Sequence, residues 1–441
     1  GERTVAWNWR AYFALDRHDT TLSRELLAAV TTFMTMAYII AVNPGILAAA
    51  GMPEAGVMAA TCLAAAIACF VMGIVARYPF ALAPGMGLNA YFAYTVADTY
   101  GGYEVALGMV FLSGVIFLLL TFVRIRQLII DAIPMSLKHA VAAGIGLFIA
   151  LIGFQHAGLV VDDPVTLLTS GELVVDGSLN TPMLVAVFGL ALMVVLFALK
   201  VRGAILIGIV AATVLGLIPG VGVTSPPSGI VAMPEFSLVG KLDVMGALNV
   251  GLIEVVFAFL FVDLFDSVGT LVGLADRAGY LKNGNLPRAT HALFADATGT
   301  LTGSLLGTST VTSYIESAAG IEEGGRTAIF VGVFFLISMF FSPLVIIIPK
   351  EATAPALIVV GAMMIRCIKD VPWSDLTEAI PAFLVMVAMP FFYSIAQGIA
   401  LGFIFYPLAK VAAGKWREVH WLVYVLGALF LLRFIFLGAI A

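Results

Sequence analysis

Two carboxylates stand three residues apart inside an apolar run, Asp263 and Asp266 in LIEVVFAFLFVDLFDSVGTLVGLA. At helical spacing, acids at i and i+3 share one side of a helix, and each costs roughly 2.5–3.5 kcal/mol at the centre of a bilayer. A third acid, Glu316, follows the hydroxyl-rich run Thr308, Ser309, Thr310, Val311, Thr312, and an amide, Asn89, follows Pro84, Gly85 and Gly87. No Lys or Arg lies in the core of any of the first fourteen apolar spans to neutralise these acids. The chemistry that suits them is hydrogen bonding to a neutral solute, together with loading and release of a proton, because low dielectric favours the neutral form of a carboxyl group. Asp263, Asp266 and Glu316 are therefore the candidate proton-coupling residues of a proton-driven symporter.

Such groups need elements that hold polar backbone at membrane depth, which is tolerated only where protein or a cavity satisfies it. In the segment 80–97, Pro84 removes a donor and Gly85 and Gly87 each cost about 1 kcal/mol in a helix interior. The expectation is an extended piece before Gly85 and a half-helix from about Gly87, with Asn89 in its first turn. The segment 307–319 has the same character. Its β-prone hydroxyl run predicts a short strand, with a half-helix from near Ser313 and Glu316 in the first turn, where the helix dipole favours a carboxylate. Two such half-helices facing one another make a polar cleft, and Thr312 and Ser313 join Asp266, Glu316 and Asn89 as candidate substrate-binding residues.

The rest of the chain is lipid-soluble scaffold. Of 441 residues, 61% are hydrophobic and only 11% charged, and the net charge is −5; soluble domains carry roughly 25% charged residues. An ordinary cytosolic protein is excluded, and there is no basic surplus for nucleic acid. Apolar stretches of about 20 residues cross a bilayer as helices. Spans are read at 25–44, 57–76, 80–97, 104–123, 138–157, 181–199, 203–219, 249–271, 288–304, 307–319, 327–348, 353–369, 376–393, 394–412 and 419–440, the last being either a fifteenth span or a peripheral helix. With the N-terminus cytoplasmic, 19 of the 22 Lys and Arg fall on the inner side, only Lys241 and Lys350 fall outside, and Arg433 lies in the final segment, as the positive-inside rule requires. The stretch 1–24 is polar and does not read as a secretory signal. The outer loops 158–180 and 220–247 are the longest, the second with Pro-rich, strand-like patterning.

Ile133-Pro134 and Ile348-Pro349 each precede a small-residue span, about half the chain apart, and a broken segment precedes each. Seven spans per unit, an odd number, force the second unit to enter the membrane inverted, the signature of an inverted-repeat transporter. The fold class expected is an all-α polytopic membrane protein of fourteen transmembrane segments, with short strands in the third and tenth.

Other residues carry less. Cys62, Cys69 and Cys367 sit in apolar runs without metal-ligand spacing and read as small hydrophobes. His139 and His156 flank the fifth span and read as interfacial and His291 begins the ninth, with a proton relay as their alternative role; Glu254 reads as a boundary residue and Asp296 as a core brace or a helix contact. Phe33, Tyr38 and Tyr314 are placed to stack on a flat substrate. No phosphate loop, metal site or cofactor motif is present, and no nucleophile–base pair points to an enzyme.

TTFMTMAYIIAVNPGIL (31–47), FALAPGMGLNAYFAY (80–94), FLFVDLFDSVGTLVG (259–273) and GTSTVTSYIESAAGIEEGGRT (307–327) resemble the nucleobase–cation symporter family of xanthine/uracil permeases, in its azaguanine-resistance branch of hypoxanthine, guanine and adenine permeases. The resemblance spans nearly the whole chain. It implies a core domain (25–130 and 248–348) and a gate domain (131–247 and 349–418); the cytoplasmic segment 1–24 precedes them, and the C-terminal hydrophobic helix (419–441) exceeds the family's span count. It further implies elevator-like movement, a homodimer in the plasma or inner membrane, and a purine nucleobase bound between core and gate. By motif, the base-binding acid of span eight matches Asp266, with Asp263 one turn earlier; that of span ten matches Glu316, and the polar residue of span three matches Asn89. The uracil and xanthine branches have Glu-His where this chain has Asp266-Ser267, so their substrates do not transfer. The rival readings are an anion or other small-solute transporter of the same fold, sodium-coupled purine symport, a channel and a membrane enzyme.

Overall fold

The computed structural model describes residues 21–122, 132–175, 178–249, 253–281 and 286–436. Arg3, Arg10, Arg17, Arg124, Arg126 and Lys282 of the basic tally lie outside these residues, as do the side chains of Glu254 and Arg433. Among the described residues, nine helical segments are long and apolar enough to cross a membrane, and three shorter apolar helices accompany them.

The first span is not one straight helix. It divides into α1 (Leu22–Met36) and α2 (Ile39–Leu47), joined through a tightened turn in which Ile40 N–H bonds the Ala37 carbonyl and Ala41 N–H that of Tyr38. Pro44, inside α2, supplies no N–H for the Ile40 carbonyl, and its ring crowds that group. α3 (Glu54–Val71) follows, then strand β1 (Leu82–Pro84) and half-helix α4 (Met86–Tyr91), and α5 (Tyr103–Phe122). Next come α6 (Met135–His156), two short hairpins β2–β3 (Val160–Asp163 and Leu167–Ser170) and β4–β5 (Val174–Val175 and Ser178–Leu179), α7 (Thr181–Ala198) and α8 (Ala204–Leu217). Residues 220–243 form no strand, against the sequence expectation: Pro226, Pro227 and Pro234 withhold donors a ladder would need.

The second half repeats the plan: α9 (Ile253–Arg277), α10 (Ala289–Leu306), strand β6 (Val311–Ser313) with half-helix α11 (Ser317–Glu322), α12 (Ile329–Ser338), α13 (Lys350–Met364), α14 (Leu376–Phe391) and α15 (Ile395–Ala412). α16 (Trp421–Phe436) lies against α15. β1 and β6, one from each broken segment, pair antiparallel with Ala83 opposite Thr312. Gly85 caps this junction because a Cβ there would stand 2.8 Å from Thr312 Cγ2.

The offset between the two Ile-Pro pairs has a physical counterpart. α6 and α13 start at equivalent positions, after Pro134 and Pro349, and pack on one another. Gly146 and Gly361, separated by that same offset, meet at their crossing: each would drive a Cβ into the other's carbonyl. Small residues of this kind let helix backbones approach. Gly146→Val is therefore expected to destabilise the protein by about 1–3 kcal/mol through overpacking against backbone that cannot yield, read as a lower unfolding temperature in detergent.

Among the described residues, Arg24, Arg202, Arg277, Arg288 and Arg326 gather in one cluster. Glu25 accepts from the Arg326 and Thr327 N–H groups, Arg24 Nε donates to the Glu323 carbonyl, Arg202 pairs with Glu323 and Arg277 with Glu322, and Arg288 lies over the Tyr78 ring. Lys410, one of the bases that the sequence reading puts on the inner side, is 3% exposed. Its ammonium pairs with Glu378 at 2.7 Å and Glu418 at 2.9 Å, tying α15 to α14 and to the approach to α16. Just outside α14, the Lys415 ammonium at 2.7 Å holds the Asp375 carboxyl below the ordinary carboxylate range.

Candidate functional site

The three-residue spacing of Asp263 and Asp266 gives a rotation of about 300°, and the shortfall from a full turn separates their surroundings. Asp263 is 1% exposed and turned toward α10: Thr300 Oγ1 donates to its Oδ2 at 3.0 Å, and Oδ1 has no partner among the described residues. Asp266 is exposed, and its Oδ2 accepts from Thr312 Oγ1 at 3.4 Å. The shared face expected from the sequence thus holds one sealed acid and one open acid.

Strand β6 sorts its side chains alternately. Thr312 faces α9, where its hydroxyl also lies 3.0 Å from Ser267 Oγ; Ser313 faces α10 and donates to Asp296 Oδ1 at 3.2 Å. Asp296 is fully buried, and its Oδ2 has no partner among the described residues. Asp263, Asp266 and Asp296 lie within electrostatic reach of one another.

Glu316 is the N-cap of α11, with φ −58° and ψ −20°, so the half-helix starts at Ser317, later than the sequence predicts. The hydroxyl run from Thr308 keeps extended backbone through Ser313, because β6 must finish its pairing with β1 before the chain can coil. Glu316 Oε1 accepts from Tyr38 Oη at 2.6 Å, which brings the bend of the first span to the tenth. Glu316 is half-buried and interacts electrostatically with Asp266.

Asn89 falls in the first turn of α4, as expected, and is completely buried. Its Nδ2 donates to Asn43 Oδ1 at 2.5 Å, and its Oδ1 accepts from Ser309 Oγ. Asn43 Nδ2 in turn donates to Thr61 Oγ1 at 2.7 Å and Thr308 Oγ1 at 2.8 Å. The structure thus brings Asp266, Thr312 and Glu316 together with Tyr38, while Asn89 and Ser313 bond to other partners.

Sequence reasoning missed Asn43 and Thr300. The signal for Asn43 was its place before Pro44 in an apolar run; for Thr300 nothing distinguished it from other helical threonines. Of the aromatic candidates, Phe33 packs on Phe334 and Phe335 at 5.6 and 5.3 Å, and Tyr314 is buried with its hydroxyl on the Pro84 carbonyl at 2.5 Å. His156 bonds Tyr94, at the end of the molecule away from the arginine cluster. Among the described residues, no group of three His, Cys, Asp or Glu is placed to hold a metal ion.

Comparison with known proteins gives concordant results. The model of the Permease family, Xan_ur_permease, matches residues 23–436. The chain is 42% identical to the adenine permease AdeP of Escherichia coli over 97% of this chain and 96% of that one. It is 43% identical to the guanine/hypoxanthine permease PbuO of Bacillus subtilis over 96% of this chain and 99% of that one. Among solved structures, the transmembrane domain of the cyanobacterial bicarbonate transporter BicA superposes with a TM-score of 0.65, covering 85% of this chain and 97% of that one at 14% identity. That last likeness speaks to fold.

Proposed function

The chain belongs to the xanthine/uracil permease family, in its azaguanine-type purine branch, and from that premise we propose that it carries purine nucleobases (hypoxanthine, guanine and adenine) into the cell in symport with protons. The observation that carries the reading is the convergence of Asp266, Thr312 and the Tyr38–Glu316 pair from α9, β6 and the bend between α1 and α2. A purine edge presents ring N–H donors beside acceptors. Asp266 and Glu316 accept from the former, and the Thr312 hydroxyl, turning its one proton from Asp266, donates to the latter. Such pairing discriminates because a site built for a hydrogen bond penalises a ligand that leaves it unmade.

The proton has a natural place beside the base. Asp263 Oδ1 and Asp296 Oδ2 are buried without partners among the described residues, and an unpaired buried carboxylate is costly. A proton shared in this pair, and exchanged with Asp266 and Glu316 as the base binds, links the two cargoes. Asn89 and Asn43 hold α4 against the 308–309 segment. In this reading the chain crosses a plasma or inner membrane fourteen times with its N-terminus and arginine cluster inside. The core (25–130 and 248–348) carries the site past the gate (131–247 and 349–418) in an elevator movement, within a homodimer.

Tyr38→Phe removes a hydrogen bond to a carboxylate and is expected to raise KM for hypoxanthine roughly 3–10-fold with Vmax retained, the scale of one net hydrogen bond; uptake kinetics in proteoliposomes check it. The function itself is tested by uptake of radiolabelled hypoxanthine challenged with guanine, adenine, xanthine, uracil and sulfate, in sodium and in choline medium. Competition by guanine or adenine, stimulation by an acidic exterior and collapse with an uncoupler are expected. Uptake indifferent to purines, or driven by sodium and indifferent to the uncoupler, overturns the reading in its solute or in its coupling ion.

A further inference from the structure

One face of α9 is open and the other end of the helix is closed. Asp266, Gly269, Val272 and Asp276 are exposed along a single stripe running toward Arg277, whereas no residue from Val255 to Leu264 is exposed. A Cβ at Gly269 would meet nothing within 4 Å, and neighbouring Ile315 is 40% exposed. The crevice beside Asp266 therefore opens toward the arginine cluster.

At the opposite end, residues 91–96 meet α6 and the junction of α14 and α15 through polar contacts. The Tyr94 hydroxyl and His156 Nε2 are 2.7 Å apart. Thr95 Oγ1 donates to the Tyr393 carbonyl at 2.6 Å, and Tyr393 Oη donates to Gln155 Oε1 at 2.8 Å. The Tyr393 ring stands edge-on to Phe148 and Tyr94, at 5.2 and 6.1 Å. Tyr393 has φ +53°, a conformation that a bulky residue keeps only where its surroundings over-determine it. On the far side of the Tyr94–His156 pair lies a cavity of about 500 Å³, lined by Glu54, Thr224, Lys350 and Thr353 besides the pair itself. That volume falls within the range of small-molecule sites.

We propose that Tyr94–His156, braced by Thr95, Tyr393 and Gln155, is a latch closing the substrate route at the end away from the arginine cluster, and that the cavity above it is the vestibule where an incoming planar base waits. The Tyr94–His156 and Thr95–Tyr393 bonds each join a residue assigned above to the core with one assigned to the gate, so sliding one against the other must break both. The Tyr393–Gln155 bond lies within the gate and holds Tyr393 in place to receive Thr95. Once core and gate part here, the Asp266 crevice can face the vestibule. The identity of the waiting solute rests on the purine reading; the latch does not.

The test uses the full chain in right-side-out and inverted membrane vesicles. Gly269→Cys is introduced with Cys367→Ser; Cys62 and Cys69 are fully buried and stay, and the chain lacking Gly269→Cys is the blank. A membrane-impermeant maleimide is expected to label position 269 faster from the arginine-cluster face. Tyr94→Phe and, separately, Thr95→Val are each expected to raise labelling from the other face roughly two- to tenfold, the shift that loss of one net hydrogen bond produces in a two-state equilibrium. Labelling that is equally fast from both faces before any latch change overturns the proposal, as do rates that neither variant moves. Absence of purine uptake by the unmodified chain sinks the proposed substrate and leaves the labelling result standing.

Discussion

Asp266→Asn is expected to lower hypoxanthine uptake at least about 100-fold while leaving a folded protein of normal thermal stability. The side chain is exposed and its hydrogen bond from Thr312 Oγ1 is 3.4 Å long, so the amide's oxygen can keep that contact and the scaffold has little to lose. What disappears is a negative acceptor for two purine N–H groups. Hydrogen bonds to charged groups contribute roughly 1.5–3 kcal/mol each, and about 2.7 kcal/mol is already a factor of 100. Asp263→Asn should fail differently. That group is sealed, holds Thr300 rather than solute, and in the proposed scheme keeps the proton. Exchange of labelled for unlabelled base across the membrane should survive in Asp263→Asn, whereas accumulation driven by a pH gradient should not. Asp276→Asn, exposed farther along the same helix, is the control and should impair neither. If Asp266→Asn retained wild-type uptake, Asp266 would not touch the base.

Much of the fold was legible because lipid makes simple demands. Apolar length and the Pro134/Pro349 offset pointed to membrane-spanning helices and to the repeat, and the same offset joins Gly146 to Gly361. The broken segments were legible because Pro84, Gly85 and Gly87 cannot continue a helix. The start of α11 was not, since Ser317 is reached only after β6 has paired with β1, a partner from the other half of the chain whose register no local pattern encodes. The break at Ala37–Tyr38 escaped for a related reason: the run 25–44 is apolar enough to be a helix throughout, and nothing in it marks where the shorter bonds of that turn replace helical ones. The acids were visible from the cost of charge in hydrocarbon, but which of them faces solute depends on helix rotation. Spacing gives that rotation only modulo a turn, and the neighbouring α10 decides the rest.

Asn43 is where the half-helices are fastened, and Asn43→Ala is the second substitution expected to have a large effect. Its amide makes two donor bonds and accepts one, all fully buried, linking α2 to α3, to Thr308 and to Asn89. Alanine leaves Asn89 Nδ2 without its partner and strips one bond each from Thr61 and Thr308. An unsatisfied buried group costs about 1–3 kcal/mol, and three partners sharing one hub are not additive, so a loss of about 2–4 kcal/mol is expected in detergent unfolding. Asn89 cannot compensate by turning to solvent, since it is completely buried and its Oδ1 stays held by Ser309. The consequence should reach the acids without touching them. Ser309 and Thr312 lie on one extended segment, so loosening its start lets β6 shift against β1 and misplaces Thr312 beside Asp266. Transport should therefore fall with the stability loss in Asn43→Ala and recover in part with Asn43→Gln, which keeps the same donors and acceptor one methylene farther out. Thr308→Val combined with Asn43→Ala should cost less than the sum of the two, because the second substitution removes a group the first has already orphaned. Strict additivity would mean that the network is a set of separate contacts, and Asn43 would then have no hold over the site.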